Sequence, residues 1–146
     1  MSVFTSAEIA YIKTQPIGRI ATVGPNGKPH VVPVGFRYNP DEDSIDIGGV
    51  TGLTQRKHYR DLVRNPKVAF VIDDLPSVNP WTIRGIEIRG EAEILASGGQ
   101  TIQPFFGPDM IRIHPKRLVT WGVESKEART AARPAVEQPA ADDAHP

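Results

Sequence analysis

Short stretches in which apolar and polar residues alternate fill most of this chain, and that two-residue period predicts strands. Ile17–Val23 is the first. Gly24-Pro25-Asn26-Gly27 is a turn, with Asn-Gly its strongest signal. His30–Tyr38 is the second strand and completes a hairpin. After a polar turn at Asn39–Asp43, Ser44–Gly48 is the third, with Ile45 and Ile47 on one face and Asp46 on the other. Lys67–Ile72 is a fourth, and Asp73–Pro80 reads as a polar loop. Thr82–Leu95 is a long fifth strand in which Gly85 breaks the alternation and marks a bulge. Met110–His114 and Leu118–Val123 follow as two short strands, after a loop or a remnant of a helix at Pro104–Asp109.

Two stretches carry a helical signal instead. Thr5-Ser6-Ala7-Glu8 has the spacing of a capping box, so a short helix is expected over Ser6–Thr14. A second helix is expected over Thr54–Arg64, stopped by Asn65-Pro66. About six antiparallel strands with two short helices predict a mainly β chain folded as a small closed barrel. The pattern stops near Ser125. Residues 1–124 are therefore expected to form the folded domain, and 125–146, rich in Ala, Pro and acid, a disordered tail.

Composition narrows the function. Lys+Arg and Asp+Glu number 17 each, so the chain lacks the basic excess of a general nucleic-acid binder. There is no Cys, which excludes disulfides and thiolate chemistry. The four His are scattered without paired spacing, so no metal site is expected. No signal-peptide pattern and no apolar run long enough to cross a bilayer is present, which predicts a cytoplasmic protein without membrane partners. Nothing resembles a catalytic triad or a nucleophile elbow; no catalytic residue is assigned.

The richest stretch runs from the third strand into the second helix. Gly48-Gly49-Val50-Thr51-Gly52 brings backbone close to a ligand, or serves only as a turn. Thr54, Arg56, Lys57 and His58 then fall at the helix start. Cations sit poorly at a helix N-terminus unless an anion joins them, which favours a phosphorylated ligand over a solvated helix face. His30 reads as a sheet histidine. Arg84, Glu87, Arg89, Glu91 and Glu93 read as cross-strand ion pairs. Trp81 and Trp121 read as core or interface aromatics. Phe105-Phe106-Gly107 either lines a pocket or plugs a barrel end.

Several segments, in this order, resemble a known family: Gly18–Val23, Gly27–Val34, Arg56-Lys57 with Asn65–Ala69, Ile88–Ala92, and Ile113–Gly122. Together they are similar to the pyridoxamine 5′-phosphate oxidase-like split β-barrels that bind FMN or a deazaflavin, most of all the coenzyme F420-dependent branch. The resemblance spans Phe4 to Glu124. It implies a homodimer with a cofactor groove at the subunit interface. It puts Val32, Pro33 and Val34 along the ring edge, Gly48 and Gly49 by the ring or ribityl chain, and Thr54, Arg56 and Lys57 on the phosphate. Lys57 and His58 stay alternatives for the inner phosphate position, and Trp121 falls near the cofactor or the subunit boundary. The activity implied is hydride transfer between F420 and an unsaturated small-molecule substrate. The alternatives are an FMN-dependent oxidase or reductase, and a flavin-, deazaflavin- or haem-binding protein without turnover. Vitamin B6 oxidation is not implied, because the oxidase's C-terminal basic residues have no match here.

Overall fold

Closure of the sheet on itself determines where everything else lies. A computed structural model describes residues 1–124 and 132–138. Its strands are β1 (Ile17–Val23), β2 (Pro29–Asn39), β3 (Ser44–Ile47), β4 (Lys67–Val78), β5 (Trp81–Leu95), β6 (Met110–Trp121) and β7 (Arg133–Pro134). They form one antiparallel sheet in the order β3-β2-β1-β4-β5-β6-β7, and β3 also pairs with β6. That last pairing turns the sheet into a barrel, and β7 pairs with β6 at Arg117 and Leu118, beyond the stretch that β3 takes. The fold is the mainly β barrel that the alternation predicts, and the split barrel that the resemblance implies.

The barrel fills with the inward half of each alternating strand. Ile20, Ile45, Ile47, Phe70, Ile72, Ile86, Ile88, Ile111, Ile113 and Leu118 are all buried. β4 shows the logic: Val68, Phe70 and Ile72 are buried while Ala69 and Val71 between them are half-exposed. β-branched and aromatic residues suit such a half-buried pleated surface. Helix α1 (Ser6–Lys13) closes one side and places Tyr11 and Ile12 in the core. Its capping box is formed in both directions: the Glu8 N–H donates to Thr5 Oγ1 (3.1 Å) and the Thr5 N–H to Glu8 Oε1 (2.8 Å).

Several elements differ from the sequence reading, each for a physical reason. The polar stretch after Ile72 is not a loop. β4 runs on to Val78 and pairs with β5, because Asp73 and Asp74 face Gly85 and Arg84, and Arg84 binds Asp74 through two hydrogen bonds (2.7 and 3.0 Å). The two expected strands at Met110–His114 and Leu118–Val123 are one strand, β6. Its register against β5 slips between Arg89 and Gly90, opposite Pro115. The bulge therefore lies there and not at Gly85, whose pairing is regular. Helix α2 starts at Lys57; the preceding Leu53–Gln55 is a separate 3₁₀ turn. Residues 125–131 and 139–146, most of the expected tail, lie outside the described residues. Residues 132–138, within that stretch, pack back on the barrel, and Arg133 binds the buried Glu8 (2.6 Å).

Candidate functional site

A gap in strand pairing creates the main cavity. β3 is short, and β2 pairs with it only from Phe36 to Asn39. Over Pro29–Gly35, β2 has β1 on one side and, among the described residues, no strand on the other. An edge of this kind leaves backbone N–H and C=O groups available to a ligand, and it tolerates Pro29 and Pro33, which have no N–H to donate. After Ile47 the chain leaves the sheet through Gly48–Gly52 and enters α2 (Lys57–Arg64). The space between β2, this turn and the start of α2 is a cavity of about 560 Å³.

Val32, Pro33, Val34, Gly48, Gly49, Arg56, Lys57 and His58 line it together. Thr54 does not; it is exposed on the 3₁₀ turn. Trp121 lies elsewhere, at the end of β6 beside Gly85. His30, Gly35, Val50, Thr51, Leu53 and Phe106 complete the lining. Of these, Leu53, Val50 and Thr51 follow the glycines in sequence and were legible only as loop. Gly35 carried no signal at all: its place follows from the point where β3 joins β2.

The wall has two unlike ends. At one end are His30, Arg56, Lys57 and His58. Arg56 is the N-cap of α2 in extended conformation, and no side chain caps the helix. Ser, Thr, Asp or Asn normally fills that position, so the first-turn N–H groups remain for another acceptor. Lys57 is not available in the same way. Its Nζ lies 3.0 and 3.2 Å from the two carboxylate oxygens of Asp61, which also accepts from Thr22 Oγ1 (2.8 Å). Burial pushes the Asp61 carboxyl up, but the hydrogen bonds from Lys57 and Thr22 outweigh it and hold it below the usual range. Arg56 has no ion pair among the described residues, so the cavity's unneutralised positive charge is its guanidinium.

His58 is 6 % exposed, and its Nε2 has no hydrogen-bond partner among the described residues. Burial first, then repulsion from His30 and Arg56, pushes its pKa down to about 4. It is neutral at ordinary pH and has hydrogen-bonding capacity left over. At the other end Phe106 lies against the backbone of β2 at Gly35 and of the glycine turn at Gly48. A Cβ at Gly48 would come within 2.7 Å of its ring, and one at Gly35 within 3.3 Å. The end at Phe106 is apolar.

A closed antiparallel barrel, split along one edge strand, with a cationic helix start at one end of the split, is the class of fold that the comparisons match. The chain belongs to the pyridoxamine 5′-phosphate oxidase family, whose model matches residues 5–136. A 5a,11a-dehydrotetracycline/5a,11a-dehydrooxytetracycline reductase from Streptomyces rimosus is 43 % identical over 121 residues, covering 83 % of this chain and 84 % of the relative. Among solved structures, a heme binding protein from Mycobacterium smegmatis superposes with a TM-score of 0.68 at 14 % identity, over 90 % of this chain and 59 % of that one. A FAD binding protein from the same organism gives 0.58 at 17 %, over 81 % and 94 %. At such identities the two structures speak for the fold alone. Among the described residues, no helix is long and apolar enough to cross a membrane.

Proposed function

We propose that this protein is a reductase that holds a phosphate-bearing deazaflavin, coenzyme F420, in the split of the barrel and reduces an unsaturated small molecule. The observation that carries the reading is the polarity of the cavity among the described residues: Arg56 without an ion pair and uncapped helix N–H groups at one end, an unpaired strand edge along the side, an apolar end at Phe106. A cofactor with an anion at one end and a flat heterocycle at the other has the same polarity. The reductase name of the 43 % identical relative supports the oxidoreductase class and an unsaturated multi-ring acceptor.

The residues present fit such a group. Arg56 and the first-turn N–H groups of α2 would hold the phosphate. Lys57, fixed by Asp61, would add positive charge beside it without leaving its ion pair. The buried Nε2 of His58, short of a partner, would gain one from the ligand after a small shift. Backbone groups of β2 between Val32 and Val34 would meet the polar edge of the ring, and Leu53 and Phe106 would keep water from it. When bound, such a cofactor supplies hydride transfer to an electron-poor carbon, so the protein needs to orient and shield rather than to attack. The reading includes a homodimer: Val31 and Pro33 beside the cavity are exposed, and a second copy covering them would complete the groove.

Fluorescence-quenching titration with F420 and with FMN tests it, on the wild type and on Arg56→Ala and Lys57→Ala. Micromolar or tighter F420 binding is expected, with weaker FMN binding. Arg56→Ala is expected to weaken F420 at least about tenfold, roughly 1.4 kcal/mol. Lys57→Ala is expected to weaken it less. Binding of neither cofactor sinks the proposal, and a preference for FMN moves it to the flavin.

A further inference from the structure

The apolar end of the cavity extends beyond the cavity. β2 passes from His30 at the cationic end to Gly35 under Phe106, and at roughly 3.4 Å per residue those ends lie about 17 Å apart. Phe106 is fixed at the far end. Its N–H donates to Gln103 O (3.0 Å), and the next residue ties the loop to the glycine turn, Gly107 N–H to Gly49 O at 2.9 Å. The loop also closes on itself through Gly99 N–H to Pro108 O (3.0 Å). Phe105 continues the surface outward. It packs edge-to-face on Phe106, centroids 5.2 Å apart at 87°, and is 64 % exposed. Val50, 57 % exposed, lies on the same rim.

An isolated exposed aromatic is ordinary. This one stands on an anchored loop, in contact with an aromatic that already lines the cavity, at the end away from the cations. We propose that Phe105 and Phe106 form the wall on which the acceptor docks, and that they select a flat, apolar, multi-ring molecule. Gly48 is part of the device, because a Cβ there, 2.7 Å from the ring, would force Phe106 to move, and Gly35 lets the ring sit close, since a Cβ there would press on it at 3.3 Å. Flat rings gain on such a wall both by burial and by offset or edge contact. The inference rests on reading the cavity as a cofactor groove with its reactive ring toward Phe106.

The test uses 1-aminoanthracene, a fluorescent flat three-ring probe, titrated into the full-length protein with no cofactor added. Wild type is expected to bind it in the micromolar range. Phe105→Ser and Phe106→Leu are each expected to weaken it, Phe105→Ser by about tenfold. Trp81→Ser, which removes an equally exposed aromatic from the tip of the β4–β5 hairpin, is expected to leave it within about twofold. Phe105 bears little of the core, so its variant reads the wall even if Phe106→Leu fails to fold. Wild-type affinity in Phe105→Ser overturns the inference, as does an equal loss in Trp81→Ser or no binding to wild type. F420 titration of the same variants separates the two proposals. F420 binding retained with probe binding unaffected by Phe105→Ser removes the wall alone. Phe105-dependent probe binding without F420 binding removes the cofactor alone.

Discussion

Arg56, Lys57 and His58 are neighbours in the chain and have three different states in the fold. Lys57 is neutralised by Asp61, one helical turn on; Arg56 has no ion pair among the described residues; His58 is buried and uncharged. The Lys57–Asp61 pair was not read from the sequence, and it depends on Thr22 arriving from β1 to fix the carboxylate. His58 makes the pH prediction. In the unfolded chain it protonates near 6.5, and in the fold only near 4. Between those values the unfolded chain binds the extra proton, so stability falls as pH drops from 6.5 towards 4. The slope from this group is at most about 1.4 kcal/mol per pH unit. Denaturant unfolding near pH 6.5 and pH 4.5 should therefore show wild type losing roughly 2 kcal/mol more than His58→Gln over that range. Parallel losses in the two proteins would mean that His58 is not held neutral.

Elements were legible where their signal is local. The capping box of α1, the Asn-Gly turn and the alternation of β1 and β4 depend on neighbours in the chain, and the structure contains them. Long-range pairing was not legible. Asp73 and Asp74 look like loop residues until Arg84 supplies a partner across the hairpin, and Pro115 looks like a strand end until Gly90 makes room for it. The same limit applies to the cavity. Its cationic and glycine segments were readable and Phe106 was readable as either a pocket wall or a plug, whereas Gly35 enters only because β3 joins β2 where it does. Gly90 gives the prediction at this scale. A Cβ there would lie 2.1 Å from the His114 carbonyl oxygen, which is backbone and cannot swing aside. Gly90→Ala should cost about 3 kcal/mol or more, a fall in Tm of roughly 10 °C by calorimetry. A shift under about 2 °C would show that the bulge can rearrange at little cost.

Over the whole molecule, α1 and residues 132–138 meet on the same side of the barrel. Glu8 of α1 is 1 % exposed and holds Thr120 of β6 (2.6 Å) and Arg133 of β7 (2.6 and 2.9 Å). Burial pushes its carboxyl up, and the hydrogen bonds from Arg133 and Thr120 more than reverse that. Removing the guanidinium leaves a buried charge with half its partners. Arg133→Ala should destabilise by about 3 kcal/mol, measured by urea unfolding. Adding Glu8→Gln should restore much of the loss, since the neutral amide keeps the helix cap without the stranded charge. No recovery in the double variant would mean that Arg133 acts through packing instead.

The unpaired stretch of β2 has one more consequence, for handling rather than catalysis. A bare strand edge accepts another strand as readily as it accepts a heterocycle, and a crowded solution supplies such strands from sister molecules. Pro29 and Pro33 blunt that risk by removing two donors, but the carbonyls between them still project. A molecule seated in the slot would cover that edge, so the protein is expected to aggregate more slowly with it than without, as light scattering over days of storage would show.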